Sequence, residues 1–208
     1  MPIGLERDLP GFDPVPESGY GLVVVTDPAA CRHAFCGPHA IPGARCPNCD
    51  IPLMQMMSLD ATDPRLQLAS LGVHRVPLLF CWRCPLSRGF QYRLLPSGGI
   101  ELFSFCRGVS SPNFPYSGYP VAFPPASFEL TPRSTPPSDR AHQVGGHPLF
   151  LQGDPVATCL ICKSAMRFLA VVADNASQGW SFAGNVGVQT IFMVCLADGV
   201  IDASHEVD

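Results

Sequence analysis

The sequence predicts a mainly β protein: two related zinc-ribbon-like halves arising from an internal duplication and joined by a connector rich in proline and aromatics. Three observations predict it. Cysteines recur as C-x-x-C pairs, at Cys46/Cys49, Cys81/Cys84 and Cys159/Cys162. Short β-prone runs punctuated by Gly and Pro separate the pairs. Thirty-one residues lie between Cys49 and Cys81, and thirty-two between Cys162 and Cys195, so the halves agree in spacing to within one residue.

In chain order, residues 1–30 read as a Pro- and Gly-rich lead-in carrying one strand, GLVVVT at 21–26. After CPNC at 46–49, the runs LMQMMSL (53–59) and VPLLF (76–80) read as strands, with alternation placing Met54 and Met56 on one face. FQYRLL and IELFSF flank Pro96-Ser97-Gly98-Gly99 and predict a hairpin. Residues 112–137 hold eight prolines, interleaved with Phe114, Tyr116, Tyr119, Phe123 and Phe128, and this density predicts that no regular element runs through them. After CLIC at 159–162, AMRFLAVVA (165–173), VQTIFMVC (188–195) and VID from 200 repeat the first half's order. The boundaries that follow are a first half at 1–111, a connector at 112–142, and a second half at 143–208.

With 208 residues, 47% of them apolar, the chain can bury a sizeable core. Only 14% of residues are charged and the net charge is −4, with no basic stripe, so nucleic acid is not an expected partner. Glu6, Arg7 and Asp8 occupy the place where a signal peptide needs an apolar run, and no apolar stretch approaches the ~20 residues of a membrane span. A cytoplasmic protein without membrane partners is expected. In a reducing compartment, ten cysteines suggest metal ligands or buried thiols rather than disulfides.

Cys46, Cys49, Cys81 and Cys84 have the spacing of a structural zinc site, in which four thiolates surround the metal at about 2.3 Å. Laid on this set, Cys159, Cys162 and Cys195 match three ligands, and Asp198 falls where the fourth cysteine would be. Three readings stay open for that second set: a zinc completed by the Asp198 carboxylate or by His147 or His205, a catalytic zinc with an open position, or a decayed site held by packing. A further cluster, Cys31, His33, Cys36 and His39, offers four ligand types within nine residues. Surface histidines beside buried cysteines would also account for it. Trp82, inside the first knuckle, is expected beside the metal.

No H-E-x-x-H, G-x-S-x-G, phosphate loop or deaminase-type H-x-E occurs, so the residues themselves point away from an enzyme. The alternative is a zinc-dependent hydrolase using the incomplete second cysteine site, with Asp198 or His205 as general base.

QVGGHPLFLQGDP (143–155), followed by C-x-x-C, MRFLAVVAD and GVQTIFMVC, resembles the bacterial family typified by the YwqG protein, and its layout is similar to that of the eukaryotic programmed cell death protein 2 family. The resemblance covers roughly the last 65 residues well and the first half by layout only. It implies a non-enzymatic β-rich scaffold stabilised by structural zinc that binds a protein partner, as an immunity protein facing a toxin or as a chaperone with a dedicated client. It also implies that Gly145-Gly146 fits a tight backbone approach. Tyr116 and Tyr119 in the connector are the candidate partner-binding residues.

Overall fold

Every β-prone run needs a neighbour to take up its backbone N–H and C=O groups, and the computed structural model shows where each finds one. It describes residues 12–26, 31–46, 48–82, 86–107, 125–133, 140–173 and 188–207. The strands are β1 (Tyr20–Val25), β2 (His33–Phe35), β3 (Met54–Asp60), β4 (Arg75–Phe80), β5 (Leu86–Leu94), β6 (Ile100–Arg107), β7 (Ala126–Pro132), β8 (Gln143–Val144), β9 (Arg167–Ala173), β10 (Val188–Cys195) and β11 (Val200–Val207). They form one sheet in the order β4-β3-β2-β7-β1-β8-β9-β10-β11-β5-β6. Among the described residues the only helical pieces are two 3-10 turns, Pro64–Leu66 and Ala69–Leu71. No helix there is long and apolar enough to cross a membrane.

The connector departs from expectation. β7 lies inside it and pairs with β1 along its whole length, from Tyr20↔Pro132 to Val25↔Ser127, and with β2 on its other side. The physical reason is local: Pro124, Pro125 and Pro132 bracket a proline-free stretch, ASFELT, whose Phe128 and Leu130 suit a half-buried strand. Phe128 is fully buried and stacks on His33 with ring centroids 5.3 Å apart. The two halves therefore share one continuous sheet.

The ladders of the two halves correspond pair for pair when Cys46 is laid on Cys159 and Cys81 on Cys195. Met54↔Phe80, Gln55↔Leu79 and Met57↔Leu78 in β3–β4 fall on Arg167↔Val194, Phe168↔Met193 and Ala170↔Phe192 in β9–β10. Both ladders are bulged at the same step. The residues passed over, Met56 and Leu169, each accept a backbone hydrogen bond, from Cys36 at 3.1 Å and from Gly145 at 2.8 Å. The bulge also overturns the simple alternation of the methionines: Met56 and Met57 are both buried, while Met54 is half-buried.

At the end of β8, Gly145 and Gly146 have φ of +63° and +60°. A Cβ on Gly145 would lie 2.3 Å from the Pro16 carbonyl oxygen, and one on Gly146 2.5 Å from the Gly19 Cα. The close backbone approach expected of this pair is present.

The core lies mainly between the strands of both halves, around Phe35, Met57, Phe80, Phe90, Tyr92, Phe128 and Phe192. A smaller cluster of Met166, Phe168, Val171, Ile191 and Met193 includes Cys159 and Cys195. β9 and β10 are thus apolar on both faces, and the second cysteine set stands on a packed floor.

Candidate metal centres

Each centre begins as a tight turn. In the first, the Cys46 amide donates to the Ile51 carbonyl at 2.9 Å and the Asp50 amide donates back to the Cys46 carbonyl at 2.8 Å. In the second, Cys159 donates to the Ser164 carbonyl and Lys163 donates to the Cys159 carbonyl, each at 2.9 Å. Asp50 and Lys163, at equivalent positions, both have positive φ, of 54° and 64°. Bridges Arg45↔Pro52 and Thr158↔Ala165 close the two turns in the same register. RCPNCDIP and TCLICKSA, which share only their two cysteines, are therefore closed by the same backbone hydrogen bonds and the same bridge.

A strand end supplies the other half of each donor set. Cys81 follows β4 directly, and the Sγ atoms of Cys46, Cys49 and Cys81 lie within 4.8 Å of one another, with Cys49 to Cys81 at 3.9 Å. Cys84, the expected fourth ligand, lies outside the described residues. Trp82 is buried beside this set against Phe80, ring centroids 4.7 Å apart. In the second centre Cys195 ends β10, and Asp198 sits in the turn closed by the pair Cys195↔Val200. Cys159, Cys162, Cys195 and Asp198 bring one donor atom each to within 4.8 Å of the rest.

The spacings decide what the second set can hold. A tetrahedral zinc with Zn–S near 2.3 Å has S···S edges of about 3.8 Å, and a carboxylate oxygen at about 2.0–2.2 Å shortens an S···O edge to about 3.5 Å. Cys162 Sγ lies 3.6 Å from Cys195 Sγ. Asp198 Oδ2 lies 3.4 Å from Cys159 Sγ and 3.5 Å from Cys195 Sγ. Asp198 Oδ2 therefore lies at distances that suit a fourth corner, and both donor sets can hold a metal ion.

Protonation follows from the same contacts. The Cys162 thiol, then those of Cys159 and Cys195, hold the Asp198 carboxyl below its ordinary range. Burial pushes the Cys195 thiol up to about 12. Metal binding would displace these thiol protons, so the carboxylate is ready as a ligand while the buried Cys195 sulfur needs the cation to ionise.

Gln91, on β5 of the first half, braces the second knuckle. Its Nε2 donates to the Thr158 carbonyl and to Asp202 Oδ1, both at 2.9 Å, and its Oε1 accepts from the Leu160 amide at 3.0 Å. Sequence reasoning missed Gln91 and Asp202. The available signal was a glutamine set between Phe90 and Tyr92 in the strand FQYRLL.

Other foreseen ligands are placed elsewhere. His147 is exposed and packs on Phe12, ring centroids 4.2 Å apart, and His205 lies against Phe80 and Trp82, so neither joins the second set. The Cys31, His33, Cys36 and His39 cluster does not converge. His33 is buried on β2, where Nε2 meets Asp63 at 3.0 Å and Nδ1 accepts from the Asp60 amide at 3.1 Å. His39 meets the Leu53 carbonyl, and the Cys36 thiol donates to the Met56 carbonyl. Alternation and the left-handed turn at Cys36 disperse these side chains. Burial alone would raise the Asp63 carboxyl, but Arg65 and then His33 hold it well below the carboxylate range. The group is structural: buried Asp63 pairs with the partly exposed Arg65 and accepts from the His33 ring. Tyr116 and Tyr119 lie outside the described residues.

Comparison with known proteins returned no match to a family model, to a curated protein or to a solved structure.

Proposed function

We propose that the protein is a non-enzymatic, protein-binding module whose β scaffold is stapled by structural zinc at two centres. The carrying observation is the second donor set, in which the edges Cys159–Asp198, Cys162–Cys195 and Cys195–Asp198 have lengths that suit an S3O tetrahedron and all four donors lie within 4.8 Å of one another. In this reading Cys84 completes the first set. The pair-for-pair ladders support an internal duplication in which each copy ends a strand pair with one metal. With Asp198 at the fourth corner, a hydrolytic water would have to displace the carboxylate that would otherwise serve as its general base, which favours binding over hydrolysis. The YwqG-type resemblance of residues 143–208 then supplies the class of partner: a toxin to be neutralised or a client to be chaperoned, in the cytoplasm.

Metal analysis of protein prepared without chelator tests the scaffold, with two zinc ions per chain expected. Co-purification from the native host, then re-formation of a stoichiometric complex from purified components, tests the activity. A hydrolytic activity that disappears in Asp198→Ala, with fold and first zinc intact, would overturn the binding reading in favour of the enzyme.

A further inference from the structure

The second centre is open along one edge. There Cys159 and Cys195 are buried at 0% and 6% exposure and form part of the apolar floor, whereas Cys162 is exposed and Asp198 partly so. The Cys162–Asp198 edge of the tetrahedron therefore faces solvent. Asp198 lies in the four-residue link between β10 and β11, beside Gly199 at φ +64°, and no strand ladder pins it. Leu160 and Ile161, the two residues inside this knuckle, are 42% and 39% exposed next to that edge. Zinc is a borderline-soft cation that accepts thiolate at least as readily as carboxylate, so a carboxylate corner on an open edge is the one to exchange.

We propose that the second centre is a ligand-exchange site: an external thiolate displaces Asp198 from the metal, so the site binds the sulfur of a small thiol or of a cysteine side chain. This rests on the metal reading above. The thiol loses its proton to water, its sulfur bonds the metal, and the Asp198–metal bond breaks to free the carboxylate as an anion. One monoanion replaces another in the coordination sphere, and nothing is oxidised or reduced. The packed Cys159 and Cys195 keep the metal during the exchange, while the exposed Leu160 and Ile161 offer apolar contact to groups flanking the incoming sulfur.

The test uses the full chain loaded with Co²⁺, whose thiolate charge-transfer band reports the number of bound sulfurs, after unbound metal is removed. Two cobalt ions per chain are expected. Adding 2-mercaptoethanol should raise the band saturably to the level of Asp198→Cys, with both ions retained and with Asp198→Cys itself unresponsive. Should Asp198→Cys fold poorly, Asp198→Ala serves instead, and thiol should restore its band to the saturated wild-type level. A short peptide carrying cysteine between leucine and isoleucine separates the sources. Half-saturation at tenfold lower concentration or better points to a protein cysteine, and equal half-saturation to a small thiol. An unchanged band with two cobalt ions bound, or loss of one ion to the thiol, overturns the exchange and leaves the metal centre standing. Binding of only one cobalt by the wild type overturns the second centre itself.

Discussion

Asp198 is the residue at which the least chemistry separates the two centres. Replacing it by cysteine should complete four thiolates, and since a metal that binds only the folded chain stabilises it, zinc retention against a chelator and the melting temperature should both rise. Equal retention in Asp198→Cys and wild type would show that the carboxylate is no weaker a corner than a thiolate. Cys81→Ser removes a buried ligand from the first centre, and on the scale of structural zinc sites it should cost several kcal/mol, seen as a lower midpoint in denaturant. These cysteines were legible because C-x-x-C spacing is itself geometry: it commits two sulfurs to one turn. Gln91 was not legible, because its partners, Thr158, Leu160 and Asp202, are distant in the chain and met only through the β11–β5 pairing. The histidines misled for the converse reason. Though close in sequence, His33 lies on β2 and His39 in the irregular stretch after it, where they meet different partners, Asp63 and the Leu53 carbonyl.

At the scale of elements, the strands carrying the two knuckles were read closely from their apolar runs, and so was the β5–β6 hairpin, where the Gly98 amide donates to the Leu95 carbonyl at 2.9 Å. β7 was not, because proline density was averaged over a segment whose prolines stand at its ends. β11 shows how one element serves two neighbours. It pairs with β10 along its length and with β5 through Val200↔Arg93 to Ala203↔Phe90, which leaves Asp202 facing Gln91 with little water. Burial raises the Asp202 carboxyl to about 6, against the partial help of the Gln91 amide. A carboxyl raised in the fold protonates there before it does in the unfolded chain. Its contribution is therefore fully present below about pH 4 and is lost as pH rises through about 6. Asp202→Asn keeps an acceptor for Gln91 and cannot ionise. It should be more stable than wild type by on the order of 1–3 kcal/mol above pH 7, a difference that shrinks on acidification and is gone by about pH 4. Urea titrations at pH 4 and 8 check this, and a pH-independent difference would contradict the assignment.

Over the whole molecule, the order of strands could not be read from the sequence, since alternation fixes which face of a strand is buried but not which strand lies beside it. The resulting sheet leaves β4 and β6 at its ends, and β4 is a hazard because its outer edge carries backbone groups that no strand ladder satisfies. The sheet curls until β11 comes against β4, and one side chain from β5 reaches that edge. The Tyr92 hydroxyl accepts from the Leu79 amide at 3.0 Å and donates to the Pro77 carbonyl at 2.7 Å. Tyr92 is fully buried, and burial holds its hydroxyl protonated far above the ordinary tyrosine range, so it serves as donor and acceptor at any working pH. Tyr92→Phe preserves the ring and its packing on Phe90 while leaving two buried backbone groups without this partner. Each such group costs about 1–3 kcal/mol, so a loss of about 2–6 kcal/mol is expected in urea, with the dependence on denaturant unchanged. The Leu79 amide should at the same time exchange its hydrogen faster than the amides at the centre of β10. A loss below about 0.5 kcal/mol would mean that β4 closes against the rest of the sheet by packing alone, and that the hydroxyl is a passenger at the seam.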